Sequence, residues 1–320
     1  MKDYKTDLLM MAGNIKEISL VSIVICTYNA ELFLQQQLNS ILKQTYKELE
    51  ILIIDDASTD ATQEIIQQYA DADKRIQYFF NETKLGFNRA IEIGVSKTVG
   101  EYIAIADQDG IWELNKVEAM MNHWPVDCNF IYSLSKDFDG VEPKRNEGNK
   151  LLNYYTGNRP QKLFFDSPIH GHACMFQKSL LTEALPFPKD VFYDWWLSVV
   201  ASSTGKVGCV PLTLTYHRVH SSNTSRANVN IQNKQKRSQQ LRQQRILFID
   251  AFLQKPFLQN EVRTFLLRYQ KRLLQKKGNR FSITLFLFYL RNSNIAFHYK
   301  VDMSLLSLLK NSFKRAFTGL

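Results

Sequence analysis

The chain has 320 residues, 45% hydrophobic and 22% charged, with a formal net charge of +9. Those totals are those of an ordinary soluble protein long enough for a full core, in one large domain or two. The first twenty residues have acids mixed into them and no apolar run long enough for a signal peptide, so none is expected, and no uncharged apolar stretch approaches the roughly 20 residues of a membrane span.

The charge is unevenly placed. Residues 1–225 hold 21 Lys+Arg and 28 Asp+Glu, a net of −7, whereas residues 226–320 hold 19 and 3, a net of +16. A basic tail on an acidic body suits a polyanion, either nucleic acid or an anionic membrane face. No RNA-binding motif or aromatic platform with basic neighbours is present, which argues against nucleic acid. Cys26, Cys128, Cys174 and Cys209 are far apart and form no CxxC, as expected of reduced thiols in a cytoplasmic protein.

Residues 21–28, VSIVICTY, read as a central strand buried on both faces. Asn29, Ala30 and Glu31 turn the chain. Leu32, Phe33, Leu38, Ile41 and Leu42 recur at helical spacing to about Gln44. Glu50–Ile54 is a second strand ending in Asp55 and Asp56. Ser58 and Asp60 are N-cap candidates for a helix whose apolar face includes Ile65, Ile66 and Tyr69. Arg75–Phe80 is a third strand and Leu85–Val95 a third helix. Then comes YIAIADQDGIW, Tyr102–Trp112, an apolar strand that ends at Asp107-Gln108-Asp109. This alternation predicts a mostly parallel sheet with helices on both faces, whose ligands bind beyond the carboxyl ends of the strands.

Two acids one residue apart at a strand end would repel each other in a pocket unless they share a cation, and Mg2+ or Mn2+ suits that oxygen set; for this motif alone a solvated Asp-rich turn is the plainer reading. Tyr28 can lie against a base, and an aspartate can accept from its N–H groups or from a ribose hydroxyl. No GxGxxG follows the first strand and no GxxxxGK[ST] occurs, so phosphates fall to a metal and basic side chains. Lys84 and Arg89 are the nearest candidates, with surface charge as the plainer reading of each.

Residues 122–165 read as irregular, with a polar, turn-rich stretch at 137–148 that is either an acceptor-side loop or a surface insertion. A strand is expected over His172–Gln177, followed by a short helix. Asp194, Trp195 and Trp196 open an apolar helix. The helix dipole would lower the acid's pKa and the indoles would raise it. An N-cap with two core tryptophans and a base in a sugar pocket both remain open on the residues alone.

VSIVICTYNAELFL, ILIIDDASTDAT, NETKLGFNRAI and GEYIAIADQDGIWELNKVE, in that order, resemble the inverting glycosyltransferases of family 2, which have the GT-A fold. The resemblance covers about Val21 to Glu118. It implies a nucleotide-sugar donor, contacts to base and ribose from Thr27, Tyr28, Asn29 and Asp55 or Asp56 beside Glu31, Lys84, Arg89, Asp107 and Gln108, and a cation on Asp107 and Asp109. Relatives often carry another Asp where this chain has Gly110. Further on, Tyr193-Asp194-Trp195-Trp196 and the segment His217 to Asn223 look like the rhamnosyltransferases of bacterial cell-surface polysaccharide synthesis. By position Asp194 matches the general base, His220 a third metal or diphosphate contact and Arg218 a phosphate contact. Trp112, Trp195, Trp196 and Arg218 are the implied sugar pocket. Tyr193 and His217 stand where relatives commonly have His and Tyr. His170 and His172 match no motif and are read as structural.

The implied organisation is an N-terminal extension (1–20), a GT-A domain (21–225, with donor-binding half 21–118 and acceptor-binding half 119–225) and a basic helical region (226–320). The donor is a TDP- or UDP-sugar, TDP-rhamnose first. The acceptor is a saccharide, lipid-linked in the first instance, at the inner membrane face. In the tail, helical patterns recur at Ile246–Leu253, Val262–Leu274 and Met303–Phe317. FSITLFLFYL, Phe281–Leu290, is about half the length of a span. Leu305, Leu306, Leu308, Leu309, Phe313 and Phe317 gather on one side of the last segment with Lys310, Lys314 and Arg315 as cations. That fits an amphipathic helix on an anionic membrane, or a packing or homo-oligomer surface. A sugar nucleotidyltransferase and a non-catalytic scaffold are the rival classes.

Overall fold

The computed structural model describes residues 19–143, 154–165, 167–220, 234–276, 278, 280–298, 300 and 303–319. Ser221, Ser222 and Asn223, the extension before residue 19 and residues 144–148 of the polar stretch lie outside them.

The first strands form where apolar residues, many of them β-branched, run together. They are β1 (Val21–Thr27), β2 (Leu49–Asp55), β3 (Ile76–Phe80) and β4 (Tyr102–Ala106). β1, β2 and β4 are buried along their whole length, as strands covered on both faces must be. β2 and β4 flank β1, and β3 lies outside β2, all parallel. Leu34, Leu38 and Ile41 of α1 (Leu34–Leu42) and Ile65 and Ile66 of α2 (Thr62–Ala72) join Val21, Ile23 and Ile25 in one core cluster. The alternate residue Val24 faces the other way, against α3 (Phe87–Lys97). A Cβ on Gly94 of α3 would lie 2.4 Å from Val24 Cγ1, so the missing side chain is what lets helix and sheet approach.

The other half of the sheet is mixed. After the two-residue β5 (Ile111–Trp112) and α4 (Lys116–Asn122) come β6 (Cys128–Phe138), β7 (Cys174–Gln177) and β8 (Lys206–Arg218). The order is β3-β2-β1-β4-β7-β6-β8-β5. β7 is antiparallel to β4 and β6, β6 runs parallel to β8, and β5 is antiparallel to β8. β6 corrects the expectation that 122–165 is irregular. Its sequence, CNFIYSLSKDF, mixes polar and apolar residues without a clean period, and pairing on both edges makes it a strand. β8 carries Pro211 at a register shift between Ser133/Val210 and Leu134/Thr213, where a missing N–H is tolerated. The expected strand at 172–177 begins at Cys174, because Gly171–Ala173 form a 3-10 turn.

The chain divides into two compact units. The first holds residues 1–148, 169–187 and 205–219, and the second 149–168, 188–204 and 220–320. Packing thus does not divide at residue 225. The helix Tyr193–Thr204 (α5) groups with the tail helices α6 (Lys234–Leu253), α7 (Asn260–Gln275), α8 (Ile283–Arg291) and α9 (Leu305–Thr318). Its core is aromatic. Phe164 lies 4.7 Å from Phe248 and 5.4 Å from Phe252, and Tyr269 stacks on Phe288 at 5.2 Å. None of the four cysteines is in a disulfide. No helix among the described residues is long and apolar enough to cross a membrane.

Candidate active site

β1 leads to β2 on one side while β4 lies on the other, so strand order reverses between β1 and β4. A crevice opens at such a point beyond the strand ends. There the Gln108 amide ties the two tips together. Its Oε1 accepts from Tyr28 N at 2.7 Å and its Nε2 donates to Tyr28 O at 3.3 Å. Lys84 Nζ sits 3.3 Å from the centre of the Tyr28 ring. Asn29 and Ala57, just past β1 and β2, have positive φ of 49° and 63°. Asn tolerates that region, but for Ala57 it is strain, which accumulates at sites where geometry matters.

The two aspartates ending β2 have different work. Asp55 accepts from Thr27 Oγ1 (2.8 Å), Ser58 N (2.9 Å), Ser58 Oγ and Gln63 Nε2 (2.9 Å). Four donors fill a carboxylate. Asp56 takes three, from Asn81 Nδ2 (3.0 Å), Leu85 N (2.8 Å) and Gly86 N (2.8 Å), and so shapes the loop that carries Lys84. Glu31 accepts from Ala61 N at 3.1 Å, ahead of α2, and Thr59 N donates to Asn29 Oδ1 at 2.9 Å. Arg89 is paired with Glu92 and mostly exposed. Glu92 in turn accepts from Phe187 N at 2.8 Å.

Asp107 and Asp109 turn directly off β4. His172 Nδ1 lies 2.8 Å from Asp107 Oδ2, and its Nε2 lies 2.8 Å from Ser135 Oγ. Burial would raise the Asp107 carboxyl, but the imidazoles of His172, His217 and His170 outweigh it and hold the group below its ordinary value. An ionised carboxylate only accepts, so Nδ1 carries a proton. The rings of His170, His172 and His217 stack in parallel at 5.4 and 5.1 Å. Lys116 Nζ, wholly buried over the Trp112 ring, donates to the His172 carbonyl at 2.7 Å, and burial drives its pKa well down. His172, read from the sequence as structural, thus touches the DxD turn itself. An H-x-H pair on a short turn gave no sign of it, because the contact spans 65 positions.

Arg218 ends β8 beneath the same turn. Its Nε donates to Asp109 O at 3.2 Å, its other nitrogens reach Gly140 O and Gln36 Oε1, and it lies 4.7 and 4.5 Å from the Phe33 and Phe138 ring centres. It is buried, so it clamps the turn from within and presents little surface to a sugar or phosphate. Gly110 has a matching reason. A Cβ there would sit 3.1 Å from Tyr216 O, so the further Asp of relatives would crowd β8.

Among the described residues no three His, Cys, Asp or Glu group as a metal site. Asp107 and Asp109 alone nonetheless fit a hard divalent cation: both donors are carboxylate oxygens, and Asp107 is held in the anionic form.

Asp194 and His220 belong to the second unit. Asp194 lies in the first turn of α5, where its Oδ1 accepts from Trp195 N at 2.7 Å. Trp195 is half-buried, donates Nε1 to Leu163 O at 2.7 Å and meets the Phe248 ring at 4.3 Å. Trp196 and Trp112 are both 1% exposed, so neither offers a face to a sugar. They are core residues, and Trp196 packs on Phe248 and Phe252.

A sheet of this order, with helices on both faces, is the GT-A fold. Residues 22–185 match the glycosyl transferase family 2, just over half the chain, and the chain belongs to that family. It is 28% identical over 226 residues to an uncharacterized glycosyltransferase of Haemophilus influenzae, covering 64% of this chain and 67% of that one. A putative teichuronic acid biosynthesis glycosyltransferase, TuaG of Bacillus subtilis, is 34% identical over 151 residues, 47% of this chain and 57% of its own. Other relatives are matched over as little as 32% of their length. Among solved structures, S. aureus TarS 1-349 in complex with UDP-GlcNAc superposes with a TM-score of 0.58 at 16% identity, covering 93% of this chain and 81% of that one.

Proposed function

We propose that this glycosyltransferase moves a sugar, with inversion, from a nucleotide-sugar to a hydroxyl of a saccharide acceptor in cell-surface polysaccharide synthesis. The observation that carries the reading is the β1–β4 reversal, where Tyr28, Gln108 and the Asp107/Asp109 turn meet beyond parallel strand ends. The likeness to TuaG, a putative teichuronic acid biosynthesis enzyme, supports a polysaccharide product, and the likeness to TarS solved with UDP-GlcNAc supports a nucleotide-sugar donor. The DWW and H-R-x-H segments favour TDP-rhamnose first and UDP-sugars second. A lipid-linked acceptor at the inner face of the membrane fits the basic tail.

In this reading Tyr28 lies against the base. Asp55 is filled by four internal donors, whereas Asp56 keeps one acceptor position, so Asp56 is the carboxylate that receives a base N–H. Asp107 and Asp109 would hold Mg2+ or Mn2+, and His220 is a further candidate contact by its place in the H-R-x-H segment alone. Bound there, the cation would offset negative charge on the departing diphosphate. Asp194 takes the proton of the acceptor hydroxyl, whose oxygen bonds to the anomeric carbon as the bond to the diphosphate breaks. One displacement inverts the centre.

The test is Asp194→Asn, which should abolish transfer while calorimetry still records donor binding. Transfer at the normal rate would sink the base assignment. Screening nucleotide-sugars for Mn2+-dependent thermal stabilisation identifies the donor.

A further inference from the structure

Helices α8 and α9 pack side by side, with Ser282 N donating to Ala316 O at 3.3 Å. Their shared outer surface is apolar. Phe281 lies 4.9 Å from Phe313 and 5.6 Å from Phe317, and the latter two are 5.2 Å apart. All three rings are exposed, Phe313 by 50%. On α9 the stripe continues through Leu305 (70% exposed), Leu306 (79%) and Leu309. At 100° per residue these five α9 positions fall within one arc of about 120°, with Lys310 and Lys314 just beyond its Phe317 edge. Ser312 and Ala316, at the Leu305 edge of that arc, are the buried positions of the helix.

Water is a poor neighbour for three clustered rings and three leucines, and soluble proteins seldom leave such a patch without a use. The surrounding charge selects the partner. From Val262 to Leu320 the sequence holds twelve Lys+Arg and a single acid, Asp302. A second copy of the chain would set these cations against each other. A nucleic acid would meet the cations but leave Leu305, Leu306 and Phe313 in water. An anionic bilayer satisfies both, taking the rings and leucines into the acyl boundary while Lys310 and Lys314 stay at the headgroups. α8 has nine residues, too few to cross.

We infer that the α8–α9 face, centred on Phe281, Phe313, Phe317 and Leu306, docks this enzyme onto an anionic membrane surface. This deepens the reading of a lipid-linked acceptor, yet it is measured without any sugar, so either can fail alone. The full-length protein is sedimented with phosphatidylcholine vesicles and with vesicles that also contain phosphatidylglycerol. It should partition to the anionic vesicles, and more weakly at high salt. Lys310→Ala/Lys314→Ala should weaken binding about 30-fold, at about fivefold per cation. Leu306→Asp/Phe313→Asp should lose binding with an unchanged far-UV circular dichroism spectrum, since both side chains are exposed. The inference falls if the wild type stays in the supernatant, or if Leu306→Asp/Phe313→Asp binds as tightly as wild type. It falls equally if light scattering shows a dimer that the same variant splits, for then a second copy covers the face.

Discussion

Replacing Arg218 by Met separates an internal clamp from a ligand contact. The thioether keeps most of the stem against Phe33 and Phe138 and removes every donor. Asp109 O, buried beneath the DxD turn, is left without that donor, at a cost of about 1–3 kcal/mol. Gly140 is exposed and Gln36 half-buried, so water replaces much of what they lose. Two cation–π contacts go as well, about 0.5–1 kcal/mol each. Release of a desolvated guanidinium offsets part of the sum, leaving a loss of about 3 kcal/mol. Urea unfolding read by circular dichroism should record it, and Arg218→Lys, with charge but no fork, should recover less than half. Donor affinity should fall only as far as the turn loosens. If Arg218→Met leaves the unfolding free energy within about 0.5 kcal/mol of wild type while donor affinity drops 10- to 100-fold, the guanidinium is a phosphate ligand and the clamp is wrong.

Asp56→Asn puts an amide where two backbone N–H groups now donate, so hydrogen exchange at Leu85 and Gly86 should speed up and donor affinity should fall at least tenfold. Gly110→Ala presses a methyl to 3.1 Å from Tyr216 O and should cost about 1–3 kcal/mol in urea unfolding; a neutral result would mean β8 yields freely. The Asp107 carboxyl is held below its unfolded value, so its contribution is complete above about pH 4 and is lost as pH falls through the folded pKa. The stability difference between wild type and His172→Gln should therefore narrow below about pH 4, and a gap that persists there would show that His172 acts by packing alone. Trp196→Phe should destabilise the second unit by thermal melt while donor affinity stays at the wild-type value, since the indole is buried against Phe248 and Phe252.

The alternation of β1 through β4 with α1 to α3 could be read directly because each helix carries its own apolar period and the central strands are short apolar runs, and the DxD stood out because an unbroken apolar strand ends in two acids. The α9 stripe was equally visible, since its leucines and phenylalanines repeat at helical spacing. What only the tertiary structure decided depends on contacts between distant positions. β6 becomes a strand through β7 and β8, and Pro211 is tolerated because a bulge falls on it. His172 reaches Asp107, and Arg218 reaches Gln36 across 182 positions. Trp196 looked like a sugar platform until Phe248 and Phe252, from the tail, closed over it. Local periodicity specifies which face of an element is apolar; only packing settles what covers that face, and so whether a polar group or a ring is spent inside or left for a ligand.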